Sequence, residues 1–316
     1  MTEKTKVAVI GVGYLGKFHA RIYSQHPEVD LVGVVDTDLD QAREVASNYF
    51  TEPFTDYLQV IDQVDAVSIV VPTTHHFEVA MPFINAGVSI LLEKPIAATV
   101  EQAEELVKTA DQNSVILQIG HLERFNAGIV ALSELVDTPR FIEAHRLGEF
   151  TVRATDVDVV TDLMIHDIDI ILSLTKSNVK NVSAVGSNVL TNEIDIANAR
   201  LEFENGSVAN VTASRVSNKK FRRIRVFAPD KYLAVDFNAQ NVEVITKTQK
   251  LPDQPFAGLH REVLDIQPVQ PLDAEIDNFI DAVRGVKKSA VSGHDGLAAL
   301  AVANLVKQRI YENPLI

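Results

Sequence analysis

The chain has 316 residues, 46% hydrophobic and 23% charged, which suits two ordinary folded domains and excludes a disordered or collagen-like chain. A formal net charge of −14 argues against nucleic acid and anionic membranes as partners, and the lack of Cys excludes disulfides, thiolate catalysis and Cys-ligated zinc. No apolar run approaches the roughly 20 residues of a membrane span, and the polar start Met1-Thr2-Glu3-Lys4 carries no leader, so a cytoplasmic location is expected.

Val7-Ala8-Val9-Ile10 opens the chain as a buried strand, followed by a glycine-rich turn and a helix to about Gln25. Further buried strands are expected at Leu31–Val35, Ala66–Val71, Val88–Leu92 and Val115–Ile119. Helices near 38–48, 75–85 and 100–111 separate them, with Gly87 as a stop signal. This alternation predicts βαβ units and a doubly wound parallel sheet of the Rossmann type. After about residue 120 the pattern changes. Strands at 140–149, 179–190, 197–204, 207–214, 221–228 and 232–237 follow one another, interrupted by one helix near 160–174. Asn205-Gly206 marks a hairpin. Residues 248–271 read as a long loop, and helices near 272–284 and 294–311 close the chain. The fold class is therefore α/β followed by α+β: a parallel Rossmann sheet in residues 1–121, and a mostly antiparallel open sheet in residues 122–316.

Gly11-Val12-Gly13-Tyr14-Leu15-Gly16 fits G-x-G-x-x-G between a strand and a helix, the context that dinucleotide binding requires. The loop residues Gly11, Gly13, Tyr14, Leu15 and Gly16 would cradle pyrophosphate at the helix N-terminus. Asp36 ends the second strand, where its carboxylate can accept from ribose hydroxyls. Thr37 and Asp38 follow, with no Arg for a 2′-phosphate, which favours NAD over NADP.

Glu93-Lys94-Pro95 stands at the carboxyl end of the Val88–Leu92 strand, where open α/β sheets bind ligands. Lys94 can reach a ligand there while its stem stays packed. Pro72-Thr73-Thr74-His75-His76 lies at another such strand end, and Thr73 or Thr74 is the expected cap of the next helix. Asp162 and His166, four apart in a helical stretch, share one face. The pair fits three readings: a surface pair, half of a metal site with Asp167 and Asp169 nearby, or a carboxylate with a general base.

In this order and context, Gly11-x-Gly13-x-x-Gly16, Glu93-Lys94-Pro95 and Asp162-x-x-x-His166 resemble the glucose-fructose oxidoreductase/inositol dehydrogenase/rhizopine-catabolism family, over essentially the whole chain. The resemblance implies oxidation or reduction of a sugar or cyclitol carbon with NAD or NADP; no metal is expected. It implies Lys94 beside the reacting hydroxyl and His166 as acid/base with Asp162 near substrate. It also implies that Pro72, Thr73, His76, Glu93 and Lys94 border the cofactor.

The stretches 120–126, 141–148, 162–170, 196–201 and 213–217 are similar to a narrower group that oxidises C3 of UDP-N-acetylglucosamine. In the wider family Arg124 and Asn126 are the expected contacts to a polyol, and for a UDP-sugar Arg146, Arg153 and Arg215 are candidate partners of the diphosphate. The run Lys219-Lys220-Phe221-Arg222-Arg223-Ile224-Arg225, the basic cluster of this acidic chain, is a further candidate for the diphosphate, while Arg222, Arg223 and Arg225 read first as a solvated or subunit-facing strand surface. The alternatives are a dehydrogenase of a free sugar or inositol, or an NAD-binding regulator. A homodimer or homotetramer is expected, from a sheet with one face free of helices.

Overall fold

The structure, a computed structural model, describes residues 3–151, 157–249 and 258–312. Two compact units are present: Met1–Leu122 with Gln270–Leu297, and Glu123–Val269 with Ala298–Ile316. The division at residue 121 therefore needs a correction, because residues 270–297 return to the first unit. The reason is apolar: Ile276, Phe279 and Ile280 of helix α7 (Pro271–Val283) share a core with Val7, Val9 and Leu91. Burying a side chain such as Phe279 contributes about 2–3 kcal/mol.

The first unit is built on a parallel sheet in the order β3-β2-β1-β4-β5-β6. Its strands are β1 (Thr5–Ile10), β2 (Val29–Val35), β3 (Glu52–Phe54), β4 (Ala66–Ile69), β5 (Ser89–Glu93) and β6 (Leu117–Gly120). Every residue of β4 and β6 is buried, as expected for a sheet covered on both faces. Helices α1 (Gly16–Gln25), α2 (Leu39–Tyr49), α3 (His76–Asn85) and α4 (Val100–Asn113) connect these strands. Asp38 caps α2 and Thr99 caps α4 through their side chains. The cap expected from Thr73 or Thr74 does not form. A 3₁₀ turn over Thr73–His75 comes first, and neither it nor α3 has a side-chain cap.

The second unit contains helix α5 (Ala127–Leu135), strand β7 (Phe141–Leu147) and helix α6 (Ile165–Thr175). Seven strands follow: β8 (Val179–Ser187), β9 (Ile196–Phe203), β10 (Val208–Ser214), β11 (Phe221–Ala228), β12 (Lys231–Asp236), β13 (Asn241–Lys247) and β14 (Leu259–Val263). Helix α8 (Gly293–Glu312) begins in the first unit and continues in the second. The sheet order is β14-β13-β12-β11-β7-β10-β9-β8, antiparallel except for the parallel pair β7·β10. The hairpin at Asn205-Gly206 is present, with Gly206 at φ +84°. The expected long loop over 248–271 contains β14.

One sheet face, with Ile142, Ala144, Val211, Ile224 and Val226, packs on Ile165, Ile168 and Ile171 of α6. The other is half-exposed. It carries the Phe141–Phe227–Tyr232 ring contacts and cross-strand ion pairs Arg225–Glu143 and Arg223–Glu243. Among the described residues, no helix is long and apolar enough to cross a membrane.

Asp195, just before β9, anchors the turn over residues 189–191. Burial alone would raise its carboxyl. The amides of Thr191, Leu190 and Val189, with the Thr191 hydroxyl, outweigh that and bring it from 3.8 to about 2. A depressed folded-state value gives stability that is present above the unfolded value and lost as pH falls toward the folded one. Asp195→Asn is therefore expected to cost about 2 kcal/mol in urea unfolding at neutral pH. The deficit should stay constant above about pH 5 and shrink as pH approaches about 2.

Candidate functional site

The first unit forms its loop site from β1 and α1. Gly11 turns the chain at φ +86°, and a Cβ there would stand 2.5 Å from the Val70 carbonyl oxygen. A Cβ on Gly16 would stand 1.9 Å from the Gly11 carbonyl oxygen. These two glycines are required by packing. Gly13 is different, because a Cβ there would meet nothing within 4 Å. Its bare face is room for a ligand to approach the backbone. Leu15 precedes α1 without a side-chain cap, so the loop leads to helix amides suited to an anion. Tyr14 is 69% exposed and packs edge-on against Phe18.

A cleft of about 410 Å³ opens beside this loop, lined by Gly11, Gly13, Asp36, Thr37, Val71 and Pro72 among others. Asp36 accepts from the amides of Val12 (3.0 Å) and Asp38 (3.0 Å) and from Gln41 Nε2 (2.8 Å). These bonds fix the carboxylate over the loop and leave it lone pairs for hydroxyl donors. The cleft-lining residues include acidic Asp36 and Glu78 and neither Arg nor Lys, a set that suits a ribose diol and repels a 2′-phosphate.

At the end of β5, Glu93-Lys94-Pro95 is held from two sides. The Lys94–Pro95 peptide bond is cis. His76, 1% exposed, brings Nδ1 to 2.8 Å from the Pro95 carbonyl and Nε2 to 3.0 Å from the Val71 carbonyl. Burial lowers its pKa, although these carbonyls and Glu93 act to raise it. His76, expected as a ligand contact, is thus a strut between two strand ends. Thr73 begins the adjoining 3₁₀ turn. Lys94 is half-buried, and Glu93 Oε2 accepts its backbone amide at 3.3 Å.

The second unit has a cavity of about 410 Å³ lined by Arg146, Glu149, Asp162, Arg215, Lys220 and Arg222 among others. Asp162 lies in a π-helical turn, Val160–Met164, that leads into α6, where the sequence suggested regular helix throughout. Such single π turns are frequent at functional sites. Asp158 starts it by accepting from the Thr161 amide and hydroxyl. His166 follows, half-buried, in the first turn of α6. Its neighbours Asp167 and Asp169 are engaged elsewhere: Asp167 binds Arg146 at 2.8 and 2.9 Å, and Asp169 lies 3.3 Å from Arg124.

Several expectations change here. Asn126 is 3% exposed, caps α5 through Gly128 and donates to the Phe237 carbonyl, so it shapes the unit instead of facing a ligand. Arg124 is tied to Asp169. Arg215 lines the cavity but is buried, 3.7 Å from Asp195 and bonded to the Val157 carbonyl. Arg153 lies outside the described residues. The basic run divides: Arg223 and Arg225 face outward onto Glu243 and Glu143, whereas Arg222 faces inward, directly opposite Arg146. Strand parity held this signal, because Arg222 shares a face with Ile224 and Val226. Lys220, from the same basic run, also lines the cavity, whereas Gln41 carries no comparable sequence mark.

Residues 5–121 match an oxidoreductase family with an NAD-binding Rossmann fold, and residues 136–233 match the GFO/IDH/MocA C-terminal domain. The chain belongs to the GFO/IDH/MocA oxidoreductase family. It is 38% identical to UDP-N-acetylglucosamine 3-dehydrogenase of Acidithiobacillus ferrooxidans over 304 residues, 96% of each chain. It is 27% identical to an inositol 2-dehydrogenase of Rhizobium meliloti, covering 97% of each. A solved structure of the Acidithiobacillus enzyme matches with a TM-score of 0.92 at 37% identity over 98% of both chains. The GFO/IDH/MocA assignment makes the first unit an NAD-binding one, in keeping with the bare face of Gly13.

The glycines can be told apart by experiment. Gly13→Ala should leave the melting temperature almost unchanged and weaken NADH binding by about tenfold or more. Gly16→Ala should lower the melting temperature before any binding is measured, because its Cβ has no space. Fluorescence titration and calorimetry read the two effects separately.

Proposed function

We propose that this chain oxidises C3 of UDP-N-acetylglucosamine to the ketone with NAD. The observation that carries the reading is the cationic cavity of the second unit, on a chain 38% identical to an enzyme of that activity. Arg146 is neutralised there by Asp167 and Glu123. Opposite it, Arg222 shares Glu123 at 3.8 Å. Burial, and then the charge of Arg146, hold the Arg222 pKa below its ordinary value, even though Glu123, Asp167 and Asp162 act to raise it. A guanidinium in that setting gains from a further anion, and a diphosphate supplies one. Lys220 adds a second cation at the cavity.

Oxidation of a secondary alcohol releases a hydride and a proton, and bound NAD accepts the hydride. His166 takes the hydroxyl proton, with Asp162 one turn earlier placed for the sugar. Lys94 stabilises the charge that develops on oxygen. Asp36, Gly13 and the Pro72–Thr73 segment hold the cofactor. The half-exposed sheet face with Phe141, Phe227 and Tyr232 supports assembly as a homodimer or homotetramer; a monomer by light scattering would overturn that part.

Three measurements test the reading. NADH formation should follow UDP-N-acetylglucosamine and not inositols or free sugars; turnover confined to free polyols would overturn the nucleotide-sugar assignment. Lys94→Ala and His166→Ala should each lower kcat by about a hundredfold or more with smaller effects on NADH affinity. Arg222→Gln should raise KM for the nucleotide sugar by about tenfold or more while leaving KM for NAD near wild type.

A further inference from the structure

Behind Glu93 a line of buried polar groups runs back to the helix that begins at the cofactor loop. The Glu93 carboxylate lies against the bare Cα of Gly120, where a Cβ would come within 3.0 Å of its Cδ and Oε2. Oε2 accepts the Lys94 amide. Oε1 faces His19 Nε2 at 3.6 Å, an ion-pair distance longer than a hydrogen bond. His19 stands on α1, is 0% exposed, and brings Nδ1 to 3.1 Å from Ser68 Oγ on β4. Ser68 Oγ lies 2.7 Å from the hydroxyl of Tyr23, one turn further along α1. Nε2 has no hydrogen-bond partner among the described residues.

With a neutral His19 ring, one arrangement of protons satisfies both hydrogen bonds at Ser68 and turns a donor toward the Glu93 carboxylate. Burial raises the Tyr23 pKa, so its hydroxyl stays protonated and donates to Ser68. Ser68 then donates to Nδ1, which places the ring proton on Nε2, facing the carboxylate. The opposite tautomer would point a lone pair at an anion.

We propose that His19 is a positioning residue for Lys94: with Ser68 and Tyr23 it holds the Glu93 carboxylate against the Lys94 amide, joining the cofactor-loop helix to the lysine-bearing strand end. The inference rests on the reading that Lys94 acts in the reaction.

With UDP-N-acetylglucosamine and NAD as probes, His19→Phe should lower kcat about tenfold or more, by analogy with losses seen when groups behind a functional residue are removed. NADH affinity should stay within about threefold of wild type. His19→Gln, which returns a donor toward Glu93, should recover most of the loss. Glu93→Gln should lower kcat to a similar extent, and the His19→Phe/Glu93→Gln double variant should be no worse than the weaker single one. Wild-type kcat in His19→Phe, additive losses in the double variant, or no recovery in His19→Gln would each overturn the proposal. Should His19→Phe fail to fold, Ser68→Ala leaves the ring in place and removes the group that orients it; a several-fold fall in kcat is then expected, and unchanged kcat overturns the proposal. Lys94→Ala separates the two readings. If it turns over normally, the role of Lys94 fails and that of His19 with it. If it is inactive while His19→Phe is normal, only the His19 assignment fails.

Discussion

Arg146 is a charge buried beneath a sheet, and such a charge persists only where it is paired and fully bonded. Its Nε and Nη2 meet both oxygens of Asp167, its Nη1 meets Glu123, and its guanidinium lies 5.0 Å from the Phe237 ring centre. Removing one partner from such a group costs about 3–5 kcal/mol. The cost has a positional effect. Asp167 directly follows His166, so the bidentate pair fixes the first turn of α6 against β7 and with it the direction of His166. Asp162, one turn earlier, inherits the same anchor. The second unit thus sets the direction of Asp162 and His166 by a salt link at the cavity wall.

The first unit solves a different problem with backbone. Its sheet is buried throughout, and the loop after β1 must turn sharply beneath the end of β4. Gly11 and Gly16 supply that turn, Asp36 holds its amide, and His76 braces the ends of β4 and β5. Few charges are involved. One unit shapes a place for a dinucleotide by removing side chains, and the other crowds guanidinium groups at its cavity.

Much of this was legible in the sequence because it depends on local pattern. The alternation of apolar strands and helices marked the parallel sheet, and Asn205-Gly206 marked the β9–β10 hairpin of the other sheet. The glycine loop, Asp36 and the Glu93-Lys94-Pro95 strand end were found by spacing. What escaped depends on contacts between distant residues. The return of α7 to the first unit is set by Phe279 and Ile280 meeting core residues as distant in sequence as Val7 and Val9. Strand β3 has three residues, one of them Pro53, too little for a periodic signal. Asn126 looked like a ligand contact because a polar side chain near a strand end carries no mark of the cap it makes. Arg222 departs from the expected outward face because strand alternation separates it from Arg223 and Arg225, a signal that the composition of the basic run hides.

The parallel pair β7·β10 has a topological consequence. Since β8 and β10 both run antiparallel to β9, β7 and β8 point the same way, and strands that do so cannot be joined by a hairpin. The chain between them must cross over, and that crossover is the stretch carrying Asp162, His166 and Asp167. The segment proposed to carry the chemistry is therefore also the connector that the sheet requires. Related chains can alter their chemistry by exchanging side chains on it, but they cannot delete or reroute it and keep this strand order.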